Sequence, residues 1–330
     1  MEAHASPMAA EIDICGTGTA FGTFGELLQG VLPEGDRHFM VTFPVAGWSR
    51  AVFRHSPGRE GFTVWPPHKR KAVRIAELAL AAAGRTGGGS LELSSELPEG
   101  KGMASSSADL VATVRAVGAA VGTAFGAAEI ESFMREIEPT DGVMYDQIVA
   151  YHHREAELRE GLGMLPPMVI VGYDEGGQVD TIAHNRQSRR VGEAEKAEYA
   201  LLLDELCAAV RAGDLAAVGR VATRSAELNA AARSRGSLPE LRRICAETGG
   251  LGVACAHSGT VLGILYAADD PELAVKVGSA LAACAGLPGT TAVHRSLGRG
   301  DVWSASSMEV TVRETTVPAR GASTESAWGA

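Results

Sequence analysis

The stretch LPEGKGMASSSADL, Leu97 to Leu110, places two glycines, a lysine and three consecutive serines in front of an amphipathic run. Leu110, Val114, Val117 and Val121 of that run recur on one helical face, so the spacing predicts a helix beginning among Ser105–Ser107. A helix N-terminus leaves its first four N–H groups without intrahelical partners and carries partial positive charge. Gly100 and Gly102 let the backbone wrap around something bulky, Lys101 adds a full positive charge, and the hydroxyls supply donors, acceptors or a metal ligand. These preferences converge on a phosphate chain with Mg²⁺. The plainer reading is a serine N-cap with Asp109 in the first turn. Three serines behind Gly-Lys-Gly favour the anion site. The usual P-loop pattern fails, because Gly102 follows Lys101 and Ser95 stands where the first glycine belongs. GTGTAFG, Gly16–Gly22, misses the third glycine of a dinucleotide fingerprint by one residue.

On either side of this stretch, short β-branched and aromatic runs predict strands at His38–Ala46, Arg50–His55 and Phe62–Trp65. A helix is expected over Lys71–Ala83 and a half-buried strand over Ser90–Leu97. The double proline Pro166–Pro167 marks a domain boundary, followed by a strand at Met168–Asp174. Two helices follow, striped by Tyr199 to Val210 and by Leu215 to Leu228. Gly252–Ala267 reads as strand, glycine turn and strand; Asp270 and Pro271 then read as N-cap and first residue of a helix. Gly289–Ser296 and Met308–Glu314 read as closing strands, and 317–330 as a disordered tail. Strands and helices interleave without regular βα alternation, so the fold class is α+β, with domains at 11–165 and 166–316.

With 330 residues, 45% of them hydrophobic, the chain can build a large core, and a net charge of −10 argues against nucleic-acid or anionic-membrane partners. No apolar run reaches the ~18 residues that span a bilayer. The first residues lack the basic and apolar regions of a secretory signal, so a cytoplasmic protein is expected. Five cysteines without a C-x-x-C pair read as buried thiols. The HKRK run (His68–Lys71) and His152–His153 read as solvated or helix-start charges, with a nucleotide or carboxylate contact open for Lys69 or Arg70. Ser258, beside His257, has no Gly-x-Ser-x-Gly elbow, which argues against hydrolysis.

PEGKGMASS (Pro98–Ser106) resembles the phosphate-loop signature of the GHMP small-molecule kinases. GTFGELLQG (Gly22–Gly30) is similar to that family's N-terminal motif and ACAHSGTVLGIL (Ala254–Leu265) to its C-terminal glycine loop. Within the family, GELLQG, IEPTDGVMY and AHSGTVLG most resemble the L-threonine kinases of cobalamin biosynthesis. The resemblance implies a ribosomal-S5-like N-terminal domain, a ferredoxin-like C-terminal domain and an active site between them that uses ATP and Mg²⁺. It implies phosphate contacts from Pro98, Gly100, Lys101, Gly102, Met103, Ala104, Ser105, Ser106 and Ser107. Ser106 would help hold the metal with one of Glu131, Glu136 and Glu138. Many members carry Ser-Gly-x-Asp; here Met144 stands in the Asp position and Asp141 lies three residues earlier. Either Asp141 serves a related role or proton removal relies on the metal and the γ-phosphate.

The expected acceptor is a small hydroxy amino acid, L-threonine or a close analogue. With GELLQG on a strand–helix edge, Glu26 would grip its ammonium with help from Gln29, Asp141 would orient its hydroxyl, and His257, Ser258, Gly259 and Thr260 would close the site. The alternatives are a kinase for homoserine or a hydroxylated secondary metabolite, or a non-catalytic nucleotide-binding regulator. A homodimer is left open.

Overall fold

The structure is a computed structural model that describes residues 11–177, 191–232, 236–257 and 259–313. It begins with a long antiparallel pair, β1 (Glu11–Val31) and β2 (His38–Ser56), in register from Ile14 opposite His55 to Val31 opposite His38. The two separate strands expected over 38–55 are therefore one, because β1 pairs along the intervening residues: Phe21 lies opposite Trp48 and Ala20 opposite Ser49. β2 continues the sheet to β4 (Gly88–Ser95), which lies parallel to β3 (Phe62–Trp65). The crossover between those two strands is α1 (Arg70–Ala82). Its Ala72, Ile75, Ala76, Ala79 and Leu80 are buried at helical spacing.

The glycine–serine stretch leads into α2 (Ser105–Val121), followed by α3 (Ala127–Arg135), β5 (Ile148–His152) and β6 (Glu157–Gly163). Helix α2 lies directly on β1. A Cβ at Gly16 would strike the Ala116 carbonyl and Ala120 backbone, and one at Gly18 would come within 2.5 Å of the Ala112 carbonyl. The Gly-Thr-Gly that failed as a dinucleotide fingerprint is thus a docking groove that fixes where α2 begins.

Pro166–Pro167 lies between β6 and β7 (Met168–Asp174). Beyond β7 come α4 (Glu193–Ala212), α5 (Leu215–Ala232), α6 (Leu238–Glu247), β8 (Gly252–Cys255) and β9 (Val261–Ala267). Then follow α7 (Leu273–Cys284), β10 (Thr290–Arg295) and β11 (Ser306–Arg313). The four strands β7–β10 pair antiparallel in the order β10-β7-β9-β8. That is spatial order 4-1-3-2 with helical crossovers after the first and third strands, the ferredoxin-like arrangement, with extra helices in its first crossover. Glu26 opposite Cys255 joins β1 to β8, so one sheet runs through both halves.

Three expectations change. GELLQG is not a strand–helix edge: all of it belongs to β1, whose register breaks on both sides of Glu26. Asp270 does not cap a helix at Pro271. Its carboxylate accepts from Glu272 N–H (2.8 Å) within a turn, and α7 starts at Leu273. Strand β11 returns to the N-terminal half and pairs with Glu11–Gly18 of β1. The tail assigned to 317–330 lies outside the described residues. All five cysteines are buried, and no helix among the described residues is long and apolar enough to cross a membrane.

Candidate active site

The bend before α2 is held open from both sides. Gly25 N–H donates to Gly102 O (3.1 Å) and Thr23 N–H to Met103 O (3.2 Å), both from β1. From the C-terminal half, Thr260 N–H donates to Lys101 O (3.2 Å). Gly100, Gly102 and Ala104 take left-handed φ of +71°, +84° and +55°, turning the chain sharply into Ser105. No side chain caps α2, so its first-turn N–H groups remain available, and Ser105, Ser106 and Ser107 line a cleft of about 550 Å³. A Cβ at Gly102 would strike the Ala256 methyl and come within 3.0 Å of Gly259, in a backbone region that L-residues avoid. Gly102→Ala is expected to cost about 1–3 kcal/mol and to weaken nucleotide binding at least tenfold. Thermal shift with and without ATP checks both effects.

The cleft's next wall carries opposed charges. Ser106 Oγ donates to Glu138 Oε1 (2.6 Å), while the Lys71 ammonium pairs with Oε2 of the same carboxylate. Lys69, mostly buried, pairs with Asp109 Oδ2 (2.6 Å) and with Glu99, and Asp109 also accepts from Ser49 Oγ. Burial alone would lower the Lys69 ammonium, but the hydrogen bonds it donates to Asp109 and Glu99 outweigh this and hold it above its usual range. The start of α1 thus opens on the cleft beside that of α2, giving two positive helix ends at one place.

Carboxylates dominate the far end. Asp141 is held by Ser107, whose Oγ donates to Oδ2 (3.2 Å) and accepts from Asp141 N–H (3.2 Å) and Thr140 Oγ1 (2.9 Å). Burial pushes the Asp141 carboxyl up to about 6; the Ser107 bond opposes this and the nearby Glu138 charge adds to it. Glu26 also lines the cleft, is 4% exposed, and its Oε2 has no hydrogen-bond partner among the described residues. Burial first, and then the Asp141 charge, raise its pKa well above the usual carboxylate range. His257 and His153 close this end with ring centroids 4.8 Å apart.

The sequence matches the GHMP kinases N terminal domain over residues 70–154 and the GHMP kinases C terminal domain over residues 205–286. The chain belongs to the GHMP kinases. It is 25% identical over 176 residues to an L-threonine kinase of Citrobacter freundii, covering 53% of this chain and 61% of that one. To an L-threonine kinase of Salmonella typhimurium it is 26% identical over 179 residues, covering 53% and 59%. These matches span about three fifths of those relatives' length. A homoserine kinase structure from Cytophaga hutchinsonii superposes with TM-score 0.69 at 15% identity, over 94% of this chain and 100% of that one. A Methanococcus jannaschii mevalonate kinase gives 0.64 at 15% identity, over 88% and 99%. At such identities these two establish the fold.

In this GHMP kinase the cleft gathers Glu26, Asp141, Glu138, His257 and the bend residues Gly100, Gly102, Met103, Ala104, Ser105, Ser106 and Ser107. Other expected residues stand elsewhere. Pro98 is exposed and outside the lining. The Lys101 ammonium faces away from the cleft, paired with Asp174 Oδ2 (2.6 Å) and donating to Gly177 O (2.6 Å), so it anchors the bend to β7. Gly259 and Thr260 sit behind the bend as its support, and Ser258 lies outside the described residues. Gln29 is buried behind His257. Of the three glutamates, only Glu138 reaches Ser106. Glu131 accepts from Arg135, Tyr145 Oη and Leu158 N–H, and Glu136 is exposed at the end of α3.

Met144 is buried outside this cleft, while Asp141 lines it. The cleft also takes in Lys71, Asp109, Thr140 and His153, which sequence reasoning did not place there, and Lys69, for which it left a contact open. HKRK straddles the start of α1, as the helix-start reading has it, whereas His152 and His153 are buried rather than solvated.

Proposed function

We propose that this protein transfers the γ-phosphoryl group of ATP to the side-chain hydroxyl of a small hydroxy amino acid, with L-threonine the first choice. The observation that carries the reading is Glu26 Oε2, a buried carboxylate oxygen without a partner among the described residues, in the same cleft as Asp141 and the start of α2. Burying an acid without a hydrogen bond is costly, and an acceptor's ammonium would supply the missing donors and counter-charge. An acid lacking an amine, such as mevalonate, would supply neither those donors nor that counter-charge.

Phosphoryl transfer needs positioning and charge cancellation more than covalent help from the protein. The bend and the N–H groups opening α2 would cradle the phosphates. Ser106 and Glu138 would hold Mg²⁺: they are an oxygen pair, and the Lys71 ammonium shows that the carboxylate accepts a cation. Among the described residues no cluster of three or more His, Cys, Asp or Glu could hold a metal, which suits an ion whose remaining ligands are phosphate and water. Bound there, the ion would neutralise charge on the phosphates. Asp141, aligned by Ser107, accepts the hydroxyl proton as the oxygen attacks the γ-phosphorus and ADP leaves.

ADP release measured over a panel of hydroxy amino acids tests the reading. Turnover on L-threonine supports it, turnover on homoserine alone moves the acceptor within the class, and retained ATP binding without turnover makes the protein a regulator. Asp141 in the cleft favours the enzyme over the regulator. Glu26→Gln is expected to raise the amino-acid KM at least tenfold with the ATP KM unchanged, the loss of one charge-assisted contact. A change confined to ATP refutes the assignment.

A further inference from the structure

Glu26 and Gln29 lie three apart on β1, and strict alternation would send them to opposite faces of the sheet. The register break between Glu26 and Leu28 changes that parity, so both side chains reach the C-terminal half. Glu26 enters the cleft, whereas Gln29 enters a buried polar junction between three elements. Its Nε2 donates to Cys255 O (3.3 Å), at the end of β8. Its Oε1 accepts from Asn229 Nδ2 of α5 (3.1 Å) and lies 2.6 Å from His257 Nδ1. Its backbone N–H donates to Ser225 Oγ (3.2 Å).

The chemistry of this junction assigns its protons. A backbone carbonyl only accepts, so the Gln29 atom facing Cys255 must be the amide nitrogen, and the atom facing His257 must be the carbonyl oxygen. An oxygen acceptor 2.6 Å from Nδ1 requires Nδ1 to carry hydrogen. The neutral ring of His257 is thereby held as the Nδ1–H tautomer, the less common form of histidine in water, in which Nε2 carries the lone pair.

We propose that Gln29 is a positioning residue that fixes the tautomer and ring orientation of His257, so that Nε2 accepts a hydrogen bond from the acceptor's ammonium or hydroxyl. This rests on the reading of the cleft as an acceptor site for a hydroxy amino acid. Gln29 thus acts one layer behind the substrate. Two residues beyond His257, Gly259 packs on Gly102, so one short loop would register the acceptor and support the phosphate bend together.

The experiment labels the histidines with ¹⁵N and reads the ring nitrogen shifts of the full-length protein, assigning His257 by its loss in His257→Asn. The wild type is expected to show protonated Nδ1 at His257. Gln29→Met keeps the bulk, cannot accept from Nδ1, and is expected to move the ring to the Nε2–H form. It should also raise the amino-acid KM about tenfold, the worth of one hydrogen bond, with kcat and the ATP KM within twofold. Gln29→Glu retains an acceptor oxygen and should restore the Nδ1–H form, which a merely structural role would not do.

An Nε2–H wild type overturns the proposal even if no variant folds. So does a Gln29→Met protein whose tautomer is unchanged, or one whose tautomer moves while the amino-acid KM does not. If no hydroxy amino acid is turned over by the wild type, the kinase reading fails; the tautomers of wild type and variants still decide whether Gln29 sets the ring.

Discussion

Asp141→Asn is expected to lower kcat by two to four orders of magnitude and, at pH 8, to make the protein more stable. The first effect follows from losing a proton acceptor in the cleft, a role worth about 10²–10⁴ in rate. The second follows from burial, which pushes the Asp141 carboxyl up from 3.8 to about 6. The folded chain therefore binds this proton more tightly than the unfolded chain does. Stability from the group is full below the unfolded pKa and is lost as pH rises through about 6. Asparagine never ionises, so its advantage is present above pH 6 and disappears as pH falls toward 4. In the wild type, the same ionisation makes kcat/KM climb through about pH 6, because only the carboxylate accepts the proton. Paired pH profiles of kcat/KM and thermal midpoint check both limbs. A variant that loses activity and also loses stability at pH 8 would mean that Asp141 is there for structure.

The glycine–serine half of the cleft was legible because its geometry is local. Gly100, Gly102 and the serines are contiguous, and the left-handed turn and uncapped helix start they imply are what the structure contains. The same compactness misled at Lys101 and Ser107. Both sit in the right string, but their side chains answer to distant partners: Asp174 on β7 takes the ammonium, and Asp141 takes the hydroxyl. Spacing places a backbone atom within a turn, whereas a flexible side chain is placed by whichever charge the fold brings near.

The acceptor half was legible only as types of residue. Glu26 and Gln29 stand more than 200 residues from His257, and the meeting of all three depends on a break in the register of β1 between Glu26 and Leu28 that alternation does not foretell. The break of parity is why Gln29 lies buried behind His257. Lys69 was obscured for another reason: its partner Asp109 is read from sequence as a first-turn helix acid, and only the packing of α1 beside α2 makes the two a buried pair. Choosing among Glu131, Glu136 and Glu138 also required three dimensions, since all three fit the spacing and one alone touches Ser106.

Glu138→Gln is expected to reduce kcat at least a hundredfold and to abolish divalent-ion binding measured without nucleotide, by Mn²⁺ titration under electron paramagnetic resonance. A neutral amide keeps the bulk and still accepts from Ser106 Oγ, so the loss isolates the charge, and charge placed against a developing transition state is worth about 10²–10³ in rate. Lys71 supplies the control that a damaged fold cannot imitate. Its ammonium already occupies Oε2 of Glu138, so an arriving cation has to take that oxygen from it. Lys71→Gln should therefore bind Mn²⁺ alone several-fold more tightly than the wild type, the opposite sign to Glu138→Gln. The Lys71→Gln, Glu138→Gln double variant should match the glutamate variant, since with no carboxylate there is nothing for the lysine to compete for. Equal Mn²⁺ affinity in the wild type and both single variants would remove Glu138 from the metal site.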